Sequence, residues 1–306
     1  MTRETKGGPP EAVVTIGVFD GVHLGHQALI RKVVERAEQL GVVSGCVTFS
    51  PHPEDVLRPD SDIAHLAAVE DRLEAIKALG VSEVEVLAFT PSLAKKSPEE
   101  FIDLLLKRFR LVELWVGSDF ALGRGRSGTP ERLAAIGREK GFEVCTFPPV
   151  VVGGQVVSSS RIRRLLAEGL VEEAARLLGR QCRLRGRVVP GDGRGRTLGF
   201  ATANLSVPER MCVPDNGVYA VWARVDREEY RPAVANIGVR PTFDGGARQI
   251  EVHLMDYGEE LYGRELAVDF VARLRSEQRF DSATALVEQI GKDVAHARAL
   301  LAEARP

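Results

Sequence analysis

No apolar run in this chain of 306 residues approaches the roughly 20 needed to cross a bilayer, which argues against a membrane-spanning helix. The opening MTRETKGGPPEA lacks the apolar core of a signal peptide and reads as a short loose tail. Charge of either sign is barely in excess: 41 Lys and Arg against 43 Asp and Glu leave a net −2. No overall field therefore draws the chain to nucleic acid or to an anionic membrane. Cysteines are few and scattered. Cys46, Cys145, Cys182 and Cys212 form no Cys-x-x-Cys pair, which fits inert thiols in a reducing cytoplasm. Internal repeats and low-complexity segments are absent as well.

The composition, 44% hydrophobic and 27% charged, suits a globular chain with a buried core. Its length is enough for two ordinary domains, and the texture changes near residue 180. Before that point strand-like runs alternate with helical periodicity. The runs are Ala12–Ile16, Val42–Phe49, Val84–Phe89, Val112–Val116 and Phe142–Phe147. Helical stretches lie between them at Gln27–Leu40, Leu66–Leu79, Pro98–Phe109 and Pro130–Lys140. Ser97-Pro98-Glu99-Glu100 is a capping box with proline at the first helical position, and Thr129-Pro130 repeats the order. Gly41, Gly80 and Gly141 stand where helices end. Such alternation implies an α/β domain over residues 1–180, a parallel sheet whose ligands bind beyond the carboxyl ends of its strands.

Residues 17–26 read GVFDGVHLGH, directly between the first strand and the first helix. A glycine-rich turn there aims free backbone N–H groups and a helix N-terminus at one spot, a ready phosphate site. His23 and His26 lie three residues apart and would share a face around the first helical turn. Two imidazoles at a phosphate point to charge stabilisation during transfer at phosphorus. A third metal ligand at a telling spacing is missing, so the pair does not by itself indicate a metal. A second anion site is expected in QVVSSSRIRR (155–164), where serines able to cap a helix precede Arg161. The helical pair Ile162–Leu166 and Val171–Leu178 follows and ends at Gly179.

After residue 180 short β-branched runs are separated by Gly, Pro and Asp turns: Arg183–Val189, Gly217–Val225, Arg231–Ile237, Gln249–Met255 and Leu266–Val271. This pattern implies a small closed barrel over residues 181–306. A final helix, Ser282–Ala302, has Asp281 as candidate cap and a stripe of Leu286, Ile290, Val294, Ala297 and Leu301 that would pack on the barrel. GDGRGRTLGFATANL (191–205) is a Gly- and Arg-rich loop in which Arg194 or Arg196 could neutralise phosphates, although it lacks the Gly-Lys-Ser/Thr ending of a Walker A loop. Thr202 and Asn204 alternate along an extended segment and offer hard oxygens suited to Mg²⁺ held also by substrate phosphates. Glu251 and His253 alternate with Ile250, Val252 and Leu254, so Glu251 is either an outward charge on a half-exposed strand or a general base.

Taken together, GVFDGVHLGH (17–26), TFSPHP (48–53), VGSDF (116–120), SSSRIR (158–163), LGFATANL (198–205), NIGVRPTF (236–243), EVHLMDYGEELYG (251–263) and LRSEQRF (274–280) resemble the prokaryotic bifunctional riboflavin kinase/FAD synthetases. The resemblance runs from about Val13 to about Arg298 in matching order. It implies a Rossmann-like nucleotidylyltransferase domain, then a six-stranded riboflavin kinase barrel with a C-terminal helix. The first would join AMP from ATP to FMN and release pyrophosphate, with no covalent enzyme intermediate. Gly17, Phe19, Asp20, Gly21, His23, Gly25 and His26 would surround the ATP phosphates. Asp119, Ser159, Ser160 and Arg161 would complete that ATP site, and His23 and His26 would carry the catalysis. Phe49 is a flavin-contact candidate. In the barrel, Gly195, Arg196, Thr202 and Asn204 would bind ATP, with Thr202 and Asn204 on Mg²⁺. Glu251 would take the proton of the ribityl 5′-hydroxyl, with Arg275 and Phe280 near the flavin. Substrates and products are thus ATP, riboflavin, FMN and FAD, in the cytoplasm, with oligomeric state left open. Three positions depart from the family's pattern: Ala201 replaces a proline, Ser118 an acidic residue and Ser160 a threonine. Ala201 keeps open an adenylyltransferase with a degenerate barrel. Another alternative is an RNA-binding face built from Arg180, Arg183, Arg185, Arg187, Arg194 and Arg196, which lacks interleaved aromatics for base stacking.

Overall fold

A computed structural model describes residues 8–191, 195, 199–239 and 248–304. The chain divides into two compact units, Met1–Ile63 with Val69–Ser158, and Ala64–Ala68 with Ser159–Pro306.

The first unit is built on five parallel strands: β1 (Glu11–Ile16), β2 (Val43–Ser50), β3 (Glu83–Ala88), β4 (Arg110–Gly117) and β5 (Glu143–Phe147). Their order is β3-β2-β1-β4-β5. The chain winds outward from β1 through β2 to β3, then returns to pair β4 with the other side of β1. The carboxyl ends of β1 and β4 therefore flank the point where winding reverses, where such sheets bind ligands. β1 is buried along both faces. Ala12, Val14 and Ile16 join a core with Phe101, Ile102 and Leu105 of α5 (Pro98–Leu106) and Leu133 and Ile136 of α6 (Pro130–Lys140). Val13, one residue out of phase, packs instead on Val33 and Ala37 of α1 (Leu24–Leu40). This alternation explains why a central parallel strand reads as a continuous apolar run.

The expected caps form: Ser97 and Glu100 make the reciprocal capping box, Thr129 caps α6, and Gly41 and Gly141 end their helices in the left-handed conformation. Helix α1 begins at Leu24, three residues before the periodicity shows, because His23 supplies its cap. The unit also holds α2 (Pro53–Leu57), α3 (Val69–Lys77), α4 (Pro91–Ala94) and a hairpin of β6 (Val151–Val152) with β7 (Gln155–Val156), of which only α3 was foreseen.

In the second unit, α7 (Ser159–Ala167) and α8 (Val171–Leu178) precede six strands: β8 (Cys182–Val189), β9 (Ala203–Ser206), β10 (Gly217–Val225), β11 (Arg231–Val239), β12 (Arg248–Leu254) and β13 (Glu265–Arg275). They close antiparallel in the order β10-β11-β12-β9-β8-β13. Tyr219, Val221, Ala223, Ala235, Ile237 and Val252 are fully buried. Alternate residues Val218 and Ala220 pack with Ala297 and Leu301 of α9 (Ala283–Glu303). Ser282, not Asp281, caps α9: its Oγ accepts the Ala285 N–H at 3.1 Å, which leaves Asp281 one residue outside the helix. The apolar stripe of α9 divides. Its C-terminal part packs on the barrel, while Leu286, Ile290 and Val294 form part of a cavity wall.

Candidate active sites

Beyond β1 the chain turns sharply. Phe19 adopts a left-handed conformation (φ 52°, ψ 34°), and its ring lies over Gly17, where a Cβ would meet it at 2.8 Å. Only glycine at 17 leaves that room. Asp20 is buried in the short turn that follows. His23 then caps α1, its Nδ1 accepting the His26 N–H at 3.4 Å. The two imidazoles stack with centroids 3.6 Å apart and planes 17° from parallel, and Phe19 stands edge-on to His26 at 5.3 Å. His26 Nδ1 is buried with no partner among the described residues. Burial first, and the neighbouring His23 second, hold the His26 pKa well below its ordinary 6.5. At neutral pH His26 is thus a neutral imidazole at a helix N-terminus, where a ring N–H and the helix dipole can both meet an anion.

Gly17, Phe19, Asp20, Gly21, His23, Gly25 and His26 are gathered after β1, and Asp119 follows β4 on the same edge of the sheet. Asp119 is exposed, and its carbonyl accepts from Arg126 at 3.3 Å. Phe49, at the end of β2, is buried against Phe89 and Phe101. Ser159, Ser160 and Arg161 begin α7 and belong to the second unit.

The second site lies in a barrel cavity of about 370 Å³. It brings together Gly195, Thr202, Asn204, Glu251, Arg275 and Phe280. Register does most of this. Glu251 on β12 pairs directly with Asn204 on β9 and with Asn236 on β11, so the three side chains form a row on one face. Ile250, Val252 and Leu254 face the core as the alternation implied. The loop is equally close-fitting: a Cβ at Gly195 would collide with the Phe200 carbonyl and meet Thr202 Oγ1 at 3.1 Å. Arg275 is gripped by buried Asp293 of α9, with Nε at 3.0 and 3.1 Å and Nη2 at 2.8 Å from its carboxylate, and carries the Phe280 ring 5.7 Å away. Arg194 and Arg196 lie outside the described residues. Asn236, His253 and Asp293 also line the cavity and were not assigned a role from sequence, since strand register and helix docking decide their place.

Two of the arginines weighed for RNA are held in ion pairs within the barrel. Arg183 binds Asp269 bidentately at 2.6 and 2.7 Å and also the Tyr230 hydroxyl, and Arg185 pairs with Glu265 at 2.8 Å.

Comparison with known proteins decides the family. The FAD synthetase family model matches residues 6–161 and the riboflavin kinase family model matches residues 178–301. A bifunctional riboflavin kinase/FMN adenylyltransferase of Pseudomonas fluorescens is 44% identical over 292 residues, covering 95% of this chain and 93% of that protein. The chain belongs to the bifunctional riboflavin kinase/FMN adenylyltransferase family. Its Escherichia coli K12 member is 39% identical over 295 residues, covering 96% of this chain and 94% of that one. A solved structure described as a macrolide-efflux protein from Streptococcus pneumoniae shares the fold, with a TM-score of 0.86 and 34% identity over 95% of both chains. No helix of the described residues is long and apolar enough to cross a membrane. Within the riboflavin kinase/FMN adenylyltransferase frame, the paired imidazoles fall inside the FAD synthetase match and the Glu251 row inside the riboflavin kinase match.

Proposed function

We propose that this chain phosphorylates riboflavin to FMN and then adenylylates FMN to FAD, with ATP as co-substrate in both steps. What supports this reading is that each family segment contains a separately built site of the chemistry it needs. In the barrel, Glu251 accepts the proton of the ribityl 5′-hydroxyl as that oxygen attacks the γ-phosphorus of ATP and ADP leaves. Thr202 and Asn204 present a hydroxyl and an amide oxygen beside a loop that only glycine permits, a cradle suited to phosphates and to Mg²⁺. The cation, when bound, neutralises charge on the phosphates. Gly195 and Arg196 complete the ATP site, and Arg275 and Phe280 form the flavin side of the cavity.

At the sheet edge, an FMN phosphate oxygen attacks the α-phosphorus of ATP and pyrophosphate departs. Gly17, Phe19, Asp20, Gly21, Gly25 and Asp119 shape that ATP site, with Phe49 toward the flavin. His23 and His26 stabilise charge on the five-coordinate phosphorus, so positioning and electrostatics carry this step. The functional boundary is placed near residue 180. Four cysteines outside any disulfide, three buried and one half-buried, fit the cytoplasm as the site of action.

Separate sites predict separable losses. His26→Ala lowers FAD formation from FMN by roughly 10²-fold or more, as removal of a charge-stabilising donor does, and leaves FMN formation intact. Glu251→Gln does the reverse. Chromatography of flavins made from riboflavin, and from supplied FMN, reads both. Loss of both products in both folded variants contradicts the assignment.

A further inference from the structure

Arg72, on α3, is a buried cation that the reading above leaves unused, only 4% exposed. Its Nη1 donates to the Val18 carbonyl at 3.1 Å and its Nη2 to the Phe49 carbonyl at 2.6 Å. Burial lowers its pKa, while the nearby Asp20 carboxylate acts the other way. Desolvating a guanidinium is costly, so its retention here calls for a return in geometry.

That geometry is visible in the turn it holds. The Val18 carbonyl takes a second donor, Thr48 Oγ1, at 3.1 Å. The peptide entering Phe19 is therefore pinned from two sides. Phe19 is a bulky residue in the left-handed region, a conformation that persists only where the surroundings over-determine it. Its ring stands edge-on to His26, which stacks on His23. The same guanidinium holds the end of β2 through Phe49, so one side chain ties the loop after β1 to the end of β2.

We propose that Arg72 is a positioning residue for adenylyl transfer: by holding the Val18 and Phe49 carbonyls it keeps Phe19 in its left-handed turn and so sets the His26 imidazole against the α-phosphate. This rests on the reading of His23 and His26 as the adenylyl-transfer pair. Arginine is required because its planar fork reaches two carbonyls at once, which the single ammonium of lysine cannot do.

The test uses the full chain and follows both activities in each preparation. Displacement of a reacting group by about 1 Å costs roughly 10²-fold, so Arg72→Lys lowers kcat for FAD formation by about tenfold or more, with KM for ATP little changed. Thr48→Val, which removes only the other donor and is the gentler change, lowers kcat in the same direction by a smaller factor. Riboflavin phosphorylation stays at the wild-type rate in both and serves as the internal control. A folded Thr48→Val enzyme with wild-type kcat overturns the proposal even if Arg72→Lys fails to fold. So does a folded Arg72→Lys enzyme whose loss lies wholly in KM. His26→Ala, assayed alongside, separates the two failures. If it has lost FAD formation while the Arg72 and Thr48 variants keep theirs, only the positioning role falls. If it too makes FAD normally, the site assignment falls with it.

Discussion

Ala201 stands directly before the Thr202 that faces the cavity, at the position where the family resemblance implies a proline. Proline would hold φ of that residue, and alanine does not. A side chain on a strand supplies a different restraint. His253 lies two residues beyond Glu251 on β12, and its Nδ1 is 2.8 Å from the Ala201 carbonyl, with the Phe200 ring edge-on at 5.5 Å. The imidazole thus ties the loop to the same strand that carries Glu251. A neutral hydrogen bond of this kind contributes about 1 kcal/mol, so His253→Ala should slow riboflavin phosphorylation roughly fivefold and leave FAD formation from supplied FMN unchanged. Parallel rate assays on one preparation check this, and equal kinase rates would show the loop to be held without it. Strand alternation alone put His253 on the face of Glu251. Its partner is 52 residues away across a pairing that local pattern does not encode, as is true of Asn236 beside Glu251. The short motifs of the two candidate sites could be singled out for the opposite reason: each of them is contiguous in the chain.

Between α1 and β4 a single carboxylate fixes how a helix sits on the sheet. Glu113, buried on β4, accepts from Arg36 Nε at 3.2 Å, from Arg36 Nη2 and from Trp115 Nε1 at 2.6 Å. The Arg36 hydrogen bonds foremost, aided by Trp115, hold its pKa below the ordinary carboxylate value despite burial. A carboxyl whose folded pKa is depressed adds stability above its unfolded value of about 4.5 and loses it as pH falls through the folded value. Glu113→Gln should therefore melt at a lower temperature than wild type at neutral pH, and the gap should close on acidification below about pH 4.5. Thermal melts across pH test this, and a gap that stays constant would assign the carboxylate no titrating role. Helices and strands of this size were readable because period, capping box and closing glycine agree at each end. Elements of two to five residues, such as β9, α2 and the β6–β7 hairpin, span too little chain for a period to show. β9 was expected only as an extended segment, and it becomes a strand because β8 and β12 pair with it.

At the scale of the whole chain, texture and packing divide it at different places. The composition shifts after Gly179, and the riboflavin kinase match begins at residue 178, yet the compact unit that holds the barrel begins again at Ser159. An amphipathic period shows that a helix has an apolar face and is silent on which sheet covers it. Val171, Ala174, Leu177 and Leu178 of α8 are all buried, and the helix packs on β8 and β13. Polar contacts fasten its first turn and the residues leading into it: Glu172 accepts the Arg273 backbone N–H at 3.2 Å, the Arg273 guanidinium reaches the Glu168 carbonyl at 3.3 Å, and the Asp215 N–H donates to the Leu166 carbonyl of α7 at 2.9 Å. Residues 64–68 belong to the same unit, His65 bonding backbone to backbone with Arg210 and Cys212. Burying one aliphatic side chain stabilises by about 1.5–3 kcal/mol, so uncovering the face under α8 removes a large part of the roughly 5–15 kcal/mol that holds a domain together. A chain that starts at residue 181 should accordingly melt well below one that starts at Ser159, or aggregate, even though both contain Thr202, Asn204, Glu251 and Arg275. The chain from Ser159, which lacks the first unit but only the short 64–68 segment of the second, should melt between that and the barrel unit of the full-length protein. Riboflavin phosphorylation should follow the same order on warming, because the cavity is made by strands whose outer support α8 provides. Thermal unfolding and kinase assays on the three chains decide it, and identical melting of the two truncated forms would mean that α8 covers the barrel without stabilising it.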